Sequence, residues 1–363
     1  MREVTLIEHA THTMAVCNAC RYCEQYCVVF PAIEQRLAFG EGDLTYLANL
    51  CHNCGECLYA CQYAPPHEFG INVPKTLAQL RRRSYEDLAW PRLFAKVYHR
   101  HAVAASLLLV AAFTVIMFAT APLVSPFDLR GERTDANFYA VVPHGTLVML
   151  FGGVGLFVTL ALTVSVVRFW RAVHRAAFLP VRHGIHRGFV DALSLRNLHA
   201  SGVDCTVGEE TRTPWRRWYH HATFYGFVLC FASTSVAAVY HTFFGWLAPY
   251  GYFSLPVVLG TSGGVGLTIG PIGLWWLRLR RDRDLNDPDQ DGLDAGFILL
   301  LVLTSITGLI LLASRQTTAM PGLLIVHLAT VLALFVTLPY GKFVHALFRT
   351  AALLKFAREE ERS

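Results

Sequence analysis

Long uncharged stretches alternate with short basic ones over the last two thirds of this chain. Residues 102–124 carry no charged side chain, and neither do residues 138–167 or 295–314. Between Trp218 and Leu277 there are 60 residues without an Asp, Glu, Lys or Arg. A membrane-crossing helix needs roughly 20 predominantly apolar residues, so the uncharged tract holds two spans with a turn near Pro249–Tyr252. Six spans are expected, at about 102–124, 142–167, 218–246, 254–277, 295–314 and 321–347, the last continuing as helix to about Leu354. The fourth carries Gly260, Gly263, Gly264, Gly266, Gly270 and Gly273, with G-x-x-x-G steps at 260–264 and 266–270. No Walker lysine follows, and close helix packing in the membrane explains the glycines. Residues 74–100 read as a basic amphipathic connector with Arg81, Arg82, Arg83, Arg92, Lys96 and Arg100. Trp90 and Tyr98 would anchor it on an anionic inner leaflet. The expected fold class is all-α, a helical N-terminal domain (residues 1–73) followed by a six-helix transmembrane bundle (101–356) and a short tail (357–363).

Composition strengthens the membrane reading. The 363 residues are 54% apolar and only 16% charged, against roughly 25% charged in soluble domains. Arginine is unevenly distributed: nine lie between 168 and 217 and four between 278 and 294, against Arg130, Arg133 and Arg315 on the other side. The positive-inside rule then places both termini and both basic loops in the cytoplasm of a bacterial inner membrane. Residues 1–16 include Arg2, Glu3 and Glu8 and lack the apolar core of a signal peptide. Nucleic-acid binding has no support, because the basic residues flank apolar spans.

Eight of the ten cysteines form two runs, Cys17-x2-Cys20-x2-Cys23-x3-Cys27 and Cys51-x2-Cys54-x2-Cys57-x3-Cys61. This is the spacing of bacterial two-cluster ferredoxins, in which the fourth cysteine of each run ligates the other cluster. The expected ligand sets are therefore Cys17, Cys20, Cys23 and Cys61 for one [4Fe–4S] cluster, and Cys51, Cys54, Cys57 and Cys27 for the second. Zinc sites pair cysteines with longer gaps, and disulfides would need an oxidising compartment and do not need this regularity. Val28 and Gln62 stand where proline usually follows the fourth cysteine. The partly helical stretch between the runs suggests a helical rather than a small β-type ferredoxin domain. His52 and His67 lie beside the runs and read as surface histidines. Cys205 and Cys230 read as structural thiols.

Histidine inside a span is costly and usually functional. The sixth span carries His327 and His345, 18 residues and five whole turns apart, which places them on one face about 27 Å from each other. The third carries His220 and His241, roughly 60° apart around the helix. Two antiparallel helices so arranged match bis-histidine b haems, with His220 and His345 for an inner haem and His241 and His327 for an outer one. His221 is an alternative inner ligand. His144, opening the second span, is an alternative outer ligand or a quinone contact. Packing histidines would give the same pattern, and the reading stays open between two haems, one and none. His99 and His101 read as interfacial.

The cysteine runs resemble the helical ferredoxin domains of succinate dehydrogenase and heterodisulfide reductase subunits. Pro339-Tyr-Gly-Lys-Phe-Val-His345, with His327 before it, resembles the last haem-binding helix of the nitrate reductase gamma-subunit family. The fusion of both parts, with Asp191–Arg196 and His220–Thr234, resembles the tricarballylate-utilisation protein B (CitB) family over nearly the whole chain. That resemblance implies an electron-transfer role beside a cytoplasmic flavoprotein that oxidises tricarballylate on FAD, with electrons passed to the quinone pool. The chain has no Rossmann glycine fingerprint of its own, which suits a subunit rather than a self-contained enzyme. Rival readings are a heterodisulfide-reductase-like or succinate-dehydrogenase-like membrane subunit, a cluster-based redox sensor, and a tricarboxylate transporter. No further cysteine-rich domain, output module or intramembrane basic side chain in spans three and four supports them.

Overall fold

A computed structural model describes residues 3–124, 137–174, 184–198, 205–207 and 211–360. Arg130, Arg133, Arg175, Arg182 and the Cys205 side chain, invoked above, lie outside the described residues. Fourteen α-helices occur among those described: α1 (Glu3–Cys20), α2 (Val29–Glu34), α3 (Glu41–Leu50), α4 (Glu56–Tyr59), α5 (Val73–Leu88), α6 (Arg92–Val124), α7 (Phe138–Val141), α8 (His144–Val173), α9 (Gly184–Leu193), α10 (Trp215–Phe244), α11 (Leu255–Leu279), α12 (Asp291–Ser314), α13 (Met320–Thr337) and α14 (Val344–Glu360). A single antiparallel hairpin, β1 (Cys205–Val207) and β2 (Thr211–Thr213), precedes α10. The fold is all-α, and among the described residues six helices are long and apolar enough to cross a membrane.

The small N-terminal helices close around Met14, Ile33, Leu44, Leu47, Leu50 and Leu77, all fully buried. Helix α5 completes this core, which corrects its reading as a lipid-surface connector. Its apolar face (Leu77, Leu80, Tyr85) is buried, and so is Arg81, at 5% exposure. The amphipathic pattern is real, but its apolar stripe covers the cysteine-bearing helices instead of lipid. Helix α6 begins at Arg92 but is kinked at the non-helical residue His101 (φ −137°, ψ 37°), so a separate segment, 92–100, leads into the apolar stretch that starts at Ala102.

The sixth span also differs. Helix α13 ends at Thr337, a turn follows over 338–343, and α14 starts at Val344. Pro339 has no backbone N–H and disfavours helix in the residue before it. His327 and His345 therefore lie on separate helices, and the five-turn phase argument does not apply.

Helix α14 ties the two parts together. Phe348 stacks on Phe169 of α8 at 4.6 Å and packs against Tyr85 of α5 at 5.9 Å. At the far end, Glu359 accepts hydrogen bonds from Arg36 (2.7 Å) and the Tyr46 hydroxyl (3.1 Å). Lys355 donates to the Val173 carbonyl at 2.6 Å.

Within the membrane part, α10 and α11 pack closely along the glycine face. A Cβ on Gly263 would lie 2.8 Å from the Cys230 nitrogen and the Gly226 oxygen, and one on Gly270 would lie 2.6 Å from the Thr223 nitrogen. Gly263→Leu should lower the thermal midpoint of the detergent-purified protein, at a cost of about 1–3 kcal/mol or more. Gly152→Leu, where a Cβ meets nothing within 4 Å, should stay within about 0.5 kcal/mol. Equal midpoints for the two variants would refute this packing.

Candidate redox site

Each cysteine run bends back on itself just after its second cysteine. Arg21 and Gly55, the residues following Cys20 and Cys54, both have positive φ, 56° and 97°. A left-handed residue there reverses the chain at little cost for glycine and at some cost for arginine.

The runs line two spaces. Cys17, Cys20, Cys23 and Cys61 line one of about 390 Å³, with Cys57 also on its wall. Cys27, Cys51, Cys54 and Cys57 line a second of about 350 Å³. Both are partly open to solvent. The donor set at each is four or five thiols, the chemistry that iron–sulfur clusters take, and no three His, Cys, Asp or Glu side chains among the described residues converge on a one-ion site.

Burial pushes the Cys17 thiol up to about 12, helped by Cys61, Cys23 and Cys20. Cys23 rises to about 11 through burial and then Cys61 and Cys20. Burial, then Cys54 and Cys51, raise Cys27 well above the usual thiol range. Such crowded thiols ionise only when a cationic group offsets them, so metal binding would release protons.

The second space lies against the membrane part. Its loop from Cys51 to Asn53 presents three consecutive carbonyls, and four arginines hold them. Arg81 (α5) donates to the Cys51 carbonyl at 2.7 Å and Arg349 (α14) donates to the same oxygen at 2.5 Å. Arg216 (α10) donates to the His52 carbonyl at 2.8 Å and the Asn53 carbonyl at 2.9 Å. Arg281, beyond α11, also donates to the Asn53 carbonyl. His52, expected at the surface, is 5% exposed. Burial and then Arg349, Arg216 and Arg81 hold it neutral, well below the usual imidazole range.

Two of these arginines stand one helical turn from the histidines expected to form the inner pair. Arg216 precedes His220 by four residues, and Arg349 follows His345 by four, spacings that share a helix face. The rings of His220 and His345 are 6.0 Å apart between centres and nearly perpendicular, at 81°. Two imidazoles on one metal, with metal–nitrogen bonds of about 2 Å, have ring centres about 6 Å apart. His345 Nδ1 lies 2.5 Å from the Lys342 carbonyl, an orienting contact that leaves Nε2 available. His220 Nδ1 is buried with no hydrogen-bond partner. Their ring separation is what two imidazoles on one iron would need. His221 instead stacks on Tyr225 at 5.7 Å.

The expected outer pair is not brought together. His241 lies 3.8 Å from His144 and 4.5 Å from Tyr139, ring centre to ring centre. His327 Nδ1 is 3.0 Å from the Thr307 hydroxyl. Helix α10 packs chiefly on α11, whereas α13 packs on α6 and α12. The His144 and His241 rings are also too close to hold an iron between them as they stand.

Residues 99–363 match the family described as Citrate utilization protein B, and residues 10–87 match the Citrate utilization protein B Fer4-like domain. The chain belongs to the citrate utilization protein B family. A relative from Escherichia coli, Citrate utilization protein B, is 49% identical over 350 residues, covering 96% of this chain and 91% of that protein. Among solved structures none matches. The Fer4-like domain of this family member is the part that carries both cysteine runs.

Sequence reasoning missed the arginine clamp. Arg81, Arg216 and Arg281 read as lipid-facing or orientation-setting charges, and their convergence is visible only once four separate elements meet. The cysteine grouping makes a direct prediction. Cys61→Ala should abolish the same electron paramagnetic resonance signal as Cys17→Ala, and Cys27→Ala the same one as Cys54→Ala. Loss of the Cys54-dependent signal in Cys61→Ala would contradict the crossed arrangement.

Proposed function

We propose that this protein is a membrane-anchored electron-transfer subunit. It takes electrons from a cytoplasmic flavoprotein dehydrogenase and delivers them to the quinone pool of a bacterial inner membrane. Two [4Fe–4S] clusters and a b haem would supply one-electron carriers, and the protein contributes ligation, spacing and local polarity. Cys17, Cys20, Cys23 and Cys61 would hold the cluster nearer the exposed surface, and Cys27, Cys51, Cys54 and Cys57 the one nearer the membrane. His220 and His345 would hold the haem. The arginine excess on the cytoplasmic loops supports the orientation.

The observation that carries this reading is the clamp. The Cys51–Asn53 loop is bonded directly to Arg216 and Arg349, one turn from His220 and His345. The contact seats the cluster loop within one helical turn of the histidine pair, where a one-electron path would need it. Tyr22, beside the first run, is 66% exposed, which leaves that end open to a soluble donor.

The relative's name speaks of citrate utilization. With the resemblance to tricarballylate-utilisation proteins, it supports a tricarboxylic acid as the substrate class of the partner flavoprotein. The chain itself binds the bilayer, the partner and quinone, and no nucleic acid.

The test is quinone reduction by the purified protein in liposomes together with its flavoprotein partner. Cys54→Ser and His345→Ala should each reduce the rate at least about tenfold, since each would remove one carrier of a series path. Wild-type rates in both variants would sink the proposal.

A further inference from the structure

The two cysteine sites differ sharply in charge. The first is lined by cysteines, Val16, Tyr22, Phe30, Gln62, Tyr63, Ile71 and Val73, with no charged side chain. Arg21, the nearest cation in its run, donates its own Nε to the Asn18 carbonyl, and that contact is exposed to solvent. The second has four guanidinium groups on three consecutive carbonyls of its own loop. Arg81 and Arg349 have no carboxylate partner among the described residues. Both are buried or nearly so: Arg81 is 5% exposed, and Arg349 bonds the carbonyl of a buried cysteine. The one acid inside the second run, Glu56, is neutralised by Arg212 at 3.1 Å. The Asn53 amide also points at the Cys51 sulfur, at 3.3 Å.

Guanidinium stays protonated at any working pH, so this charge is permanent. A [4Fe–4S] group with four thiolates is anionic, and taking up one electron adds one negative charge without making or breaking a bond. Fixed positive charge and N–H donors to sulfur favour the reduced form and raise the potential. Screening by water is weak where the cations are buried.

We propose that Arg81, Arg216, Arg281 and Arg349 are positioning residues that make the Cys27/Cys51/Cys54/Cys57 site the higher-potential of the two, and so set the direction of electron flow toward His220 and His345. This rests on the electron-transfer reading above and deepens it. The loop they hold is also the one nearest the histidine pair, so one clamp serves both placement and potential. A purely structural clamp would predict loss of the cluster when broken, with no change in the potential of whatever protein remains loaded.

The experiment is a redox titration of the full-length, cluster-loaded protein in detergent, followed by electron paramagnetic resonance. Cys54→Ser identifies which signal belongs to the second site. That signal should be reduced at higher potential than the other in the wild type. In Arg349→Leu and Arg81→Leu, the reduced-to-oxidised ratio of that signal at a fixed poise should fall roughly tenfold, the scale of losing one partly screened charge, while the other signal is unchanged. Arg349→Lys keeps the charge and should restore most of the ratio. Since the leucine variants could lose the cluster, the wild-type ordering and the lysine variant keep the idea falsifiable on their own. A second-site signal reduced at the lower potential, or unchanged ratios in loaded leucine variants, overturns this inference and leaves the electron-transfer reading standing. Absence of both cluster signals from the wild type would overturn both.

Discussion

Three backbone carbonyls, those of Cys51, His52 and Asn53, are where the two halves of the molecule are joined chemically. Each would be expensive to bury without a donor. Arg81, Arg216, Arg281 and Arg349 satisfy them from four different elements. The cost of burying those cations is offset only while the loop stays in place, so the clamp and the loop depend on each other. Around it, the Phe348–Phe169 stack and the Glu359 contacts to Arg36 and Tyr46 hold α14 against the N-terminal domain. Without this interface the cysteine domain would be a tethered appendage. With it, the domain is seated on the ends of α10 and α14 that carry Arg216 and Arg349.

That orientation gives the proposed function its geometry. In α10, Arg216 reaches out to the loop while His220, one turn deeper, meets His345. In α14 the order reverses, with His345 first and Arg349 a turn later, because the helix runs the opposite way. The same two helices thus present a cation pair to the cysteine domain and an imidazole pair to each other. The remaining membrane helices serve this arrangement in a more ordinary way, with α11 seated on α10 through glycine and α13 packed on α6 and α12.

Much of this was legible in the chain. Uncharged length is a strong signal, because soluble domains average roughly 25% charged residues, and the spans at 218–246 and 254–277 needed only a turn between them. The spacing of the runs brought Cys61 into view beside the first run and Cys27 beside the second, and each lines the corresponding space. That His220 and His345 are neighbours was also readable, though by an argument that was partly wrong. His345 meets His220 across a break at Pro339, where a continuous helix was expected. The outer pair failed because phase along one helix says nothing about which helix it faces. The buried role of Arg81 was hidden for a related reason: an amphipathic basic helix looks the same whether its apolar stripe meets lipid or a protein core.

The central claim is that cysteine and histidine sites form one path into the membrane. The most direct check is a dithionite-minus-air difference spectrum of the purified protein, with haem and non-haem iron counted on the same sample. The account predicts one b-type α-band, about one haem and about eight non-haem irons per chain. Clusters without haem would contradict it, reducing His220 and His345 to packing residues and leaving the clamp without a carrier to serve.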